Sequence, residues 1–182
     1  YRYSEPQRGD IIVFRPPKRA ITDERQFDAD GQVNVDYIKR CVGIPGDVIE
    51  IKNGVLYRNG RAINEPYLAA KPPFDFKLVK QDDKYIPLTI TADQANMNMY
   101  TAAEFRVDTI LESEELRALP AAPIPPGFLL MMGDNRPDSF DGRGWGLLPR
   151  EDVIGRAEVI WLPFSRWRSV RDNANNPEWA QK

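Results

Sequence analysis

Two Asn-Gly dipeptides, Asn53-Gly54 and Asn59-Gly60, bracket the short run Val55-Leu56-Tyr57-Arg58. Asn and Gly together supply the positive φ values that a two-residue hairpin turn needs at both of its central positions. The flanking runs, Val48-Ile49-Glu50-Ile51-Lys52 and Arg61-Ala62-Ile63, are short and mix apolar with polar residues in the manner of strands. Three strands joined by two tight turns make a β-meander, and no helix fits between turns so closely spaced. Sixteen prolines and twelve glycines extend the same argument to the whole chain, because both residues punctuate strands and turns and interrupt helices. The expected fold class is mainly β, an antiparallel sheet core with a smaller inserted β-rich or irregular subdomain.

Three further runs read as strands. Ile11-Ile12-Val13-Phe14 follows the turn-forming Arg8-Gly9-Asp10 and is closed by Pro16-Pro17. Arg8-Gly9-Asp10 shares its letters with an integrin-binding tripeptide, but beside a β-branched run it reads as a turn. Tyr37 to Val42 runs into Gly43-Ile44-Pro45-Gly46-Asp47, and Phe128-Leu129-Leu130-Met131-Met132 follows the stiff Pro123-Ile124-Pro125-Pro126-Gly127. A last strand with a glycine bend is expected over Val153 to Leu162. From Asn64 to Pro120, prolines interrupt short mixed runs and charges lack periodicity, apart from a helix-like Glu112 to Leu119 with acids early and Arg117 late. The expected division is a catalytic β core from 1–53 and 122–165, an inserted hairpin and small second subdomain at 54–121, and a C-terminal tail at 166–182. A net charge of −2 offers no basic footprint for nucleic acid.

Candidate chemistry begins at Lys39. In a strand, Tyr37, Lys39 and Cys41 share one face while Ile38, Arg40 and Val42 share the other. A lysine turned towards an apolar interior is either tethered to a carboxylate or a base made available by burial, which disfavours the charged ammonium. The chain contains no histidine. That removes the Ser-His-Asp and Cys-His arrangements and nearly all zinc hydrolase sites, so acid–base work must fall to Lys, Asp, Glu, Tyr or the lone Cys41. A Cys41 nucleophile served by Lys39 is disfavoured, since residues i and i+2 of a strand lie about 6.5–7 Å apart. A small buried thiol is the simpler reading.

The second concentration of polar residues is the glycine-rich loop that follows Met132. Asp134, Arg136, Asp138, Asp141 and Arg143 alternate in sign there, around Ser139. Such a loop is either a rigid turn with satisfied charges or a network that positions Ser139 or a backbone amide at a reacting centre.

Taken together, three blocks resemble the type I signal peptidase family. They are Arg8-Gly9-Asp10 with its strand, Tyr37-Ile38-Lys39-Arg40-Cys41-Val42-Gly43-Ile44-Pro45-Gly46-Asp47, and Met132-Gly133-Asp134-Asn135-Arg136 with Ser139, Asp141 and Arg143. They stand in the family's order, with a variable insertion between the second and the third. The resemblance implies a serine endopeptidase with a Ser-Lys dyad on a signal-peptidase-like β fold. Such an enzyme removes signal peptides from exported preproteins at the outer face of a membrane, without a cofactor or metal. By that resemblance Lys39 is the general base, Ser139 the supporting serine that hydrogen-bonds it, and Asp141 with Arg143 a structural ion pair. Asp134 and Arg136 shape the site. The implied partners are signal-peptide-bearing preproteins and a membrane lipid surface, with no nucleic acid.

The family's nucleophilic serine and its membrane anchor precede the Arg-Gly-Asp strand. Ser4 is the only serine before Lys39, and it lacks the small-Ser-Met-hydrophobic setting. The chain as given is therefore expected to hold half a dyad and to be inactive. Cys41 also stands where a small residue or valine is more usual. Trp161 to Arg168, with aromatics interleaved with arginines, reads either as a membrane-interface element or as a core strand with a basic tail. Two rivals remain: a non-catalytic peptide-binding or assembly module on the same fold, and a self-cleaving repressor-type Ser-Lys protease.

Overall fold

A computed structural model describes residues 5–68, 70–91, 110–160 and 168–169. The first sheet contains β1 (Ile11–Phe14) and β2 (Tyr37–Gly43). Residues 49–91 add β3 (Ile49–Lys52), β4 (Val55–Arg58), β5 (Arg61–Ile63), β6 (Phe74–Gln81) and β7 (Lys84–Thr91). A helix, α1 (Ile110–Ala118), precedes β8 (Phe128–Met132), the one-turn α2 (Gly142–Trp145), β9 (Leu148–Pro149) and β10 (Val153–Arg156). Two short strands, β11 (Val159–Ile160) and β12 (Arg168–Ser169), complete the described elements. They form two five-stranded antiparallel sheets, ordered β10-β1-β2-β8-β9 and β5-β4-β3-β6-β7, with β11 and β12 paired separately.

Both Asn-Gly dipeptides turn the chain as their composition dictates. Asn53 and Gly54 sit at φ 51° and 73°, and Asn59 and Gly60 at 52° and 78°. The meander β3-β4-β5 follows, pairing Ile51 with Leu56 and Leu56 with Ile63. The turn Asn53-Gly54 lies between two strands of one sheet, at the point where the expected catalytic core ends.

The block after Asn64 is more regular than its sequence suggests. β6 and β7 form a hairpin with eight cross-strand pairs, from Phe74–Thr91 to Gln81–Lys84. Its turn is Asp82-Asp83, with Asp82 carrying the positive φ of 53° that an Asn or Gly would have advertised. Pro87 is accommodated because β7 is an edge strand, where a missing N–H donor leaves no partner unsatisfied. The expected strand Val153 to Leu162 also differs, since β10 ends at Arg156 and Val159–Ile160 pair with β12 instead. Trp161 to Trp167, Ser4 and the Asn- and Met-containing stretch after Thr91 lie outside the described residues.

Strand β8 is buried on both faces, which explains its uninterrupted apolar run. Leu129 and Met131 point with Cys41, Ile12, Phe14 and Trp145 into one core cluster. Leu130 and Met132 point with Val42 into the other, which they share with Ile49, Ile51, Leu56, Phe74 and Phe76 of the second sheet. Each such side chain contributes about 1.5–3 kcal/mol on burial. A common core thus joins the two sheets behind β2 and β8, the strands that carry the candidate site. Gly43 is needed for that closeness, because a Cβ there would meet Ile124 at 2.5 Å and Ile49 at 2.8 Å.

Candidate active site

Strand β2 passes from the rim of the molecule into its core, and the burial of its side chains follows that path. Cys41 and Val42 are fully buried, Lys39 and Tyr37 are half-buried, and Ile38 is exposed on the opposite face. Lys39 is registered against Ile12 of β1, whose side chain belongs to the core. Tyr37 is fixed beside it by an edge contact with Phe14 and a 3.3 Å hydrogen bond from its hydroxyl to the Ala20 carbonyl. The Lys39 Nζ lies 5.8 Å from the centroid of the Tyr37 ring. Among the described residues no carboxylate lies within ion-pair distance of it, so none of them is the tether that the sequence left open.

Lys39 and Ser139 line one open pocket of about 400 Å³, together with Asp36, Tyr37, Ile38, Asp138 and Phe140. What sets the two side chains against each other is Gly133, at the end of β8. A Cβ on Gly133 would fall 1.9 Å from Ser139 Oγ and 3.7 Å from Lys39 Cδ. Only a hydrogen fits in that space. Among the described residues no hydrogen bond joins Ser139 Oγ to Lys39 Nζ. Gly133→Ala is expected to displace Ser139 at a cost of about 1–3 kcal/mol from overpacking, read as a lowered denaturation midpoint. Ser139→Gly on that background should recover the stability.

Gly133 is held at both ends of its backbone. Its N–H donates to Asp141 Oδ2 at 2.9 Å, and its carbonyl accepts from Arg136 Nε at 3.0 Å. Asp141 caps α2 through the Arg143 N–H and makes a two-pronged ion pair with the Arg143 guanidinium, at 2.8 and 2.9 Å. Arg143 in turn donates to the Ser139 carbonyl at 2.7 Å and stacks over the Phe74 ring. Ser139 N–H donates to the Asn135 carbonyl at 3.0 Å. Asp141 and Arg143 therefore link the backbones of Gly133 and Ser139.

Two other loop charges, Asp134 and Arg136, find partners far away in the chain. Asp134 receives both prongs of Arg40, at 2.8 and 2.7 Å, and Arg40 also donates to the Gly9 carbonyl. Arg136 is fully buried and pairs with Glu65, whose carboxylate also accepts from the Tyr67 hydroxyl. Burial on its own would lower the Arg136 pKa, but the Glu65 charge and its hydrogen bond outweigh it and leave it raised. Glu65, Tyr67 and the partnership of Arg40 escape a sequence reading. The one local signal is a carboxylate and a tyrosine flanking Pro66 directly after a strand.

Cys41 lies deeper along β2, in the core, and donates to the Gly43 carbonyl. Burial, with the nearby Asp10 and Asp47 charges, pushes its thiol well above the ordinary range. It should resist thiol reagents in the folded protein and react at once in denaturant, which a timed alkylation read by mass spectrometry will check.

Residues 1–162 match the family model described as signal peptidase, peptidase S26. A probable signal peptidase I-1 from Synechocystis sp. is 30% identical over 92% of this chain and 60% of its own length. A signal peptidase I from Pseudomonas fluorescens is 31% identical over 88% of this chain and 50% of its own. The chain thus spans about half to three fifths of the length of these two curated relatives. A crystal structure of a signal peptidase I from Enterococcus faecalis V583 is 29% identical, with a TM-score of 0.47, covering 84% of this chain and 97% of that one.

Proposed function

We propose that this chain, which belongs to the signal peptidase family (peptidase S26), is the base-bearing part of a membrane-associated serine endopeptidase that removes signal peptides from exported preproteins. The observation that carries the reading is a half-buried lysine with no acidic partner among the described residues, facing a serine across a glycine in an open pocket. An amine so placed can take the proton of a serine hydroxyl as that oxygen bonds to the scissile carbonyl carbon, and then give it to the leaving amine as the C–N bond breaks. Ser139, across Gly133 from Lys39 in the same pocket, is the neutral group that orients its amine. Asp141, Arg143, Asp134 and Arg136 keep the loop in place.

The pocket then takes an extended substrate ending in small side chains, bound by strand addition, at the outer face of a membrane. Among the described residues no helix is long and apolar enough to cross one. The test is incubation of the full-length protein in detergent with a preprotein carrying an Ala-X-Ala junction. The reading expects a product whose new N-terminus, by mass, follows that junction. Tight binding without cleavage would identify the non-catalytic module instead.

A further inference from the structure

One short segment of the second sheet's connection reaches the site by two routes. Glu65 and Tyr67 lie between β5 and β6, outside the strands that carry Lys39 and the loop. Along the first route, Tyr67 donates its hydroxyl proton to Glu65 Oε1, Glu65 pairs with Arg136, and Arg136 Nε holds the Gly133 carbonyl. Along the second, the Tyr67 ring lies under the Arg40 guanidinium, 3.8 Å from its centroid, and Arg40 grips Asp134 with two hydrogen bonds. Both routes start at Tyr67 and end on consecutive residues, Gly133 and Asp134.

The ion pair on the first route is shielded from water, with the Glu65 side chain 5% and that of Arg136 0% exposed. Burial and the Glu65 charge push the Tyr67 phenol far up, so it stays protonated and can only donate to the carboxylate. Glu65 is thereby left as the counter-ion of Arg136, and loss of either partner would leave a buried charge behind. Gly133 has only a hydrogen's width between Ser139 and Lys39. A small rotation of its peptide is enough to change their separation.

We infer that Glu65 and Tyr67 are positioning residues for the reaction, through which the second sheet sets the spacing of Lys39 and Ser139 by way of Arg136, Arg40 and the Gly133-Asp134 peptide. The inference rests on the proposed roles of Lys39 and Ser139. A misplacement of about 1 Å at a reacting centre can cost about a hundredfold in rate. Neither residue lines the pocket, so substrate binding is left alone.

The test uses the full-length protein, a signal-peptide substrate and steady-state kinetics, beside thermal melting. Tyr67→Phe removes one oxygen and keeps the ring under Arg40. It should lower kcat about tenfold with KM within about twofold, and Glu65→Gln should lower kcat about a hundredfold. Ile51→Val, which thins the shared core near the second sheet, is the control for destabilisation and should lower the melting temperature with kcat unchanged. Wild-type kcat in folded Tyr67→Phe, or a loss confined to KM, would overturn the inference. If Glu65→Gln does not fold, Tyr67→Phe decides alone. Lys39→Ala run in parallel separates the two levels. An inactive Lys39→Ala beside a fully active Tyr67→Phe removes only this inference, whereas an active Lys39→Ala removes the proposed function and this inference with it.

Discussion

Lys39→Ala in the full-length protein should cut preprotein cleavage by about 10²–10⁴-fold, the range that a positioned general base supplies. The fold should survive the change. Lys39 is half-buried at the rim of the core, and the described residues give it no ion pair to lose. Its truncation therefore removes an amine and part of an aliphatic stem without stranding an opposite charge. Far-ultraviolet circular dichroism and the melting temperature should match the wild type while the rate collapses. An arginine at the same position keeps the positive charge but cannot give up its proton near neutral pH, so Lys39→Arg should be equally inactive. The pair of variants separates a need for charge from a need for a base.

Asp141→Ala should have the largest effect on stability, about 3–5 kcal/mol, because it breaks a buried ion pair from one side. The Asp141 side chain is fully buried and Arg143 is 11% exposed. Removing the carboxylate frees the Gly133 N–H and the Arg143 N–H together, and takes away the two-pronged partner of the guanidinium. Arg143 keeps only the Ser139 carbonyl and the face of Phe74. Asp141→Asn retains the shape and one acceptor oxygen, so it should be milder. Urea denaturation of both variants measures the difference as a shift of midpoint at unchanged slope.

Much of this molecule is legible in its sequence wherever the determinants are local. Asn53-Gly54 and Asn59-Gly60 force their turns by φ alone, and alternation within β2 sends Tyr37 and Cys41 to one core cluster and Val42 to the other. The double burial of β8 is written in the unbroken run Phe128 to Met132. Asp141 and Arg143 stand two residues apart, close enough for their pairing to be read directly. The hairpin β6-β7 hides because its turn is Asp82-Asp83 and its second strand contains Pro87, both of which resemble a loop on paper. The partners of Arg40 and Arg136 hide for another reason. Asp134 is 94 residues from Arg40, and Glu65 is 71 from Arg136, so nothing in either neighbourhood signals the other. A sequence full of alternating charges within one loop suggests that they pair with each other. The fold instead spends Asp134 and Arg136 on partners elsewhere in the chain, and so ties a loop to both sheets.

The central claim is that the amine of Lys39 is the base. The direct measurement replaces Lys39 by cysteine in the full-length protein and then alkylates that thiol with 2-bromoethylamine, rebuilding an amine of nearly the same length. Cys41 is fully buried and should stay unmodified in the folded protein. Lys39→Cys should be inactive, and signal-peptide cleavage should return in proportion to the aminoethyl groups added. Full modification at position 39 with no return of cleavage, or substantial cleavage by the unmodified cysteine variant, would contradict it.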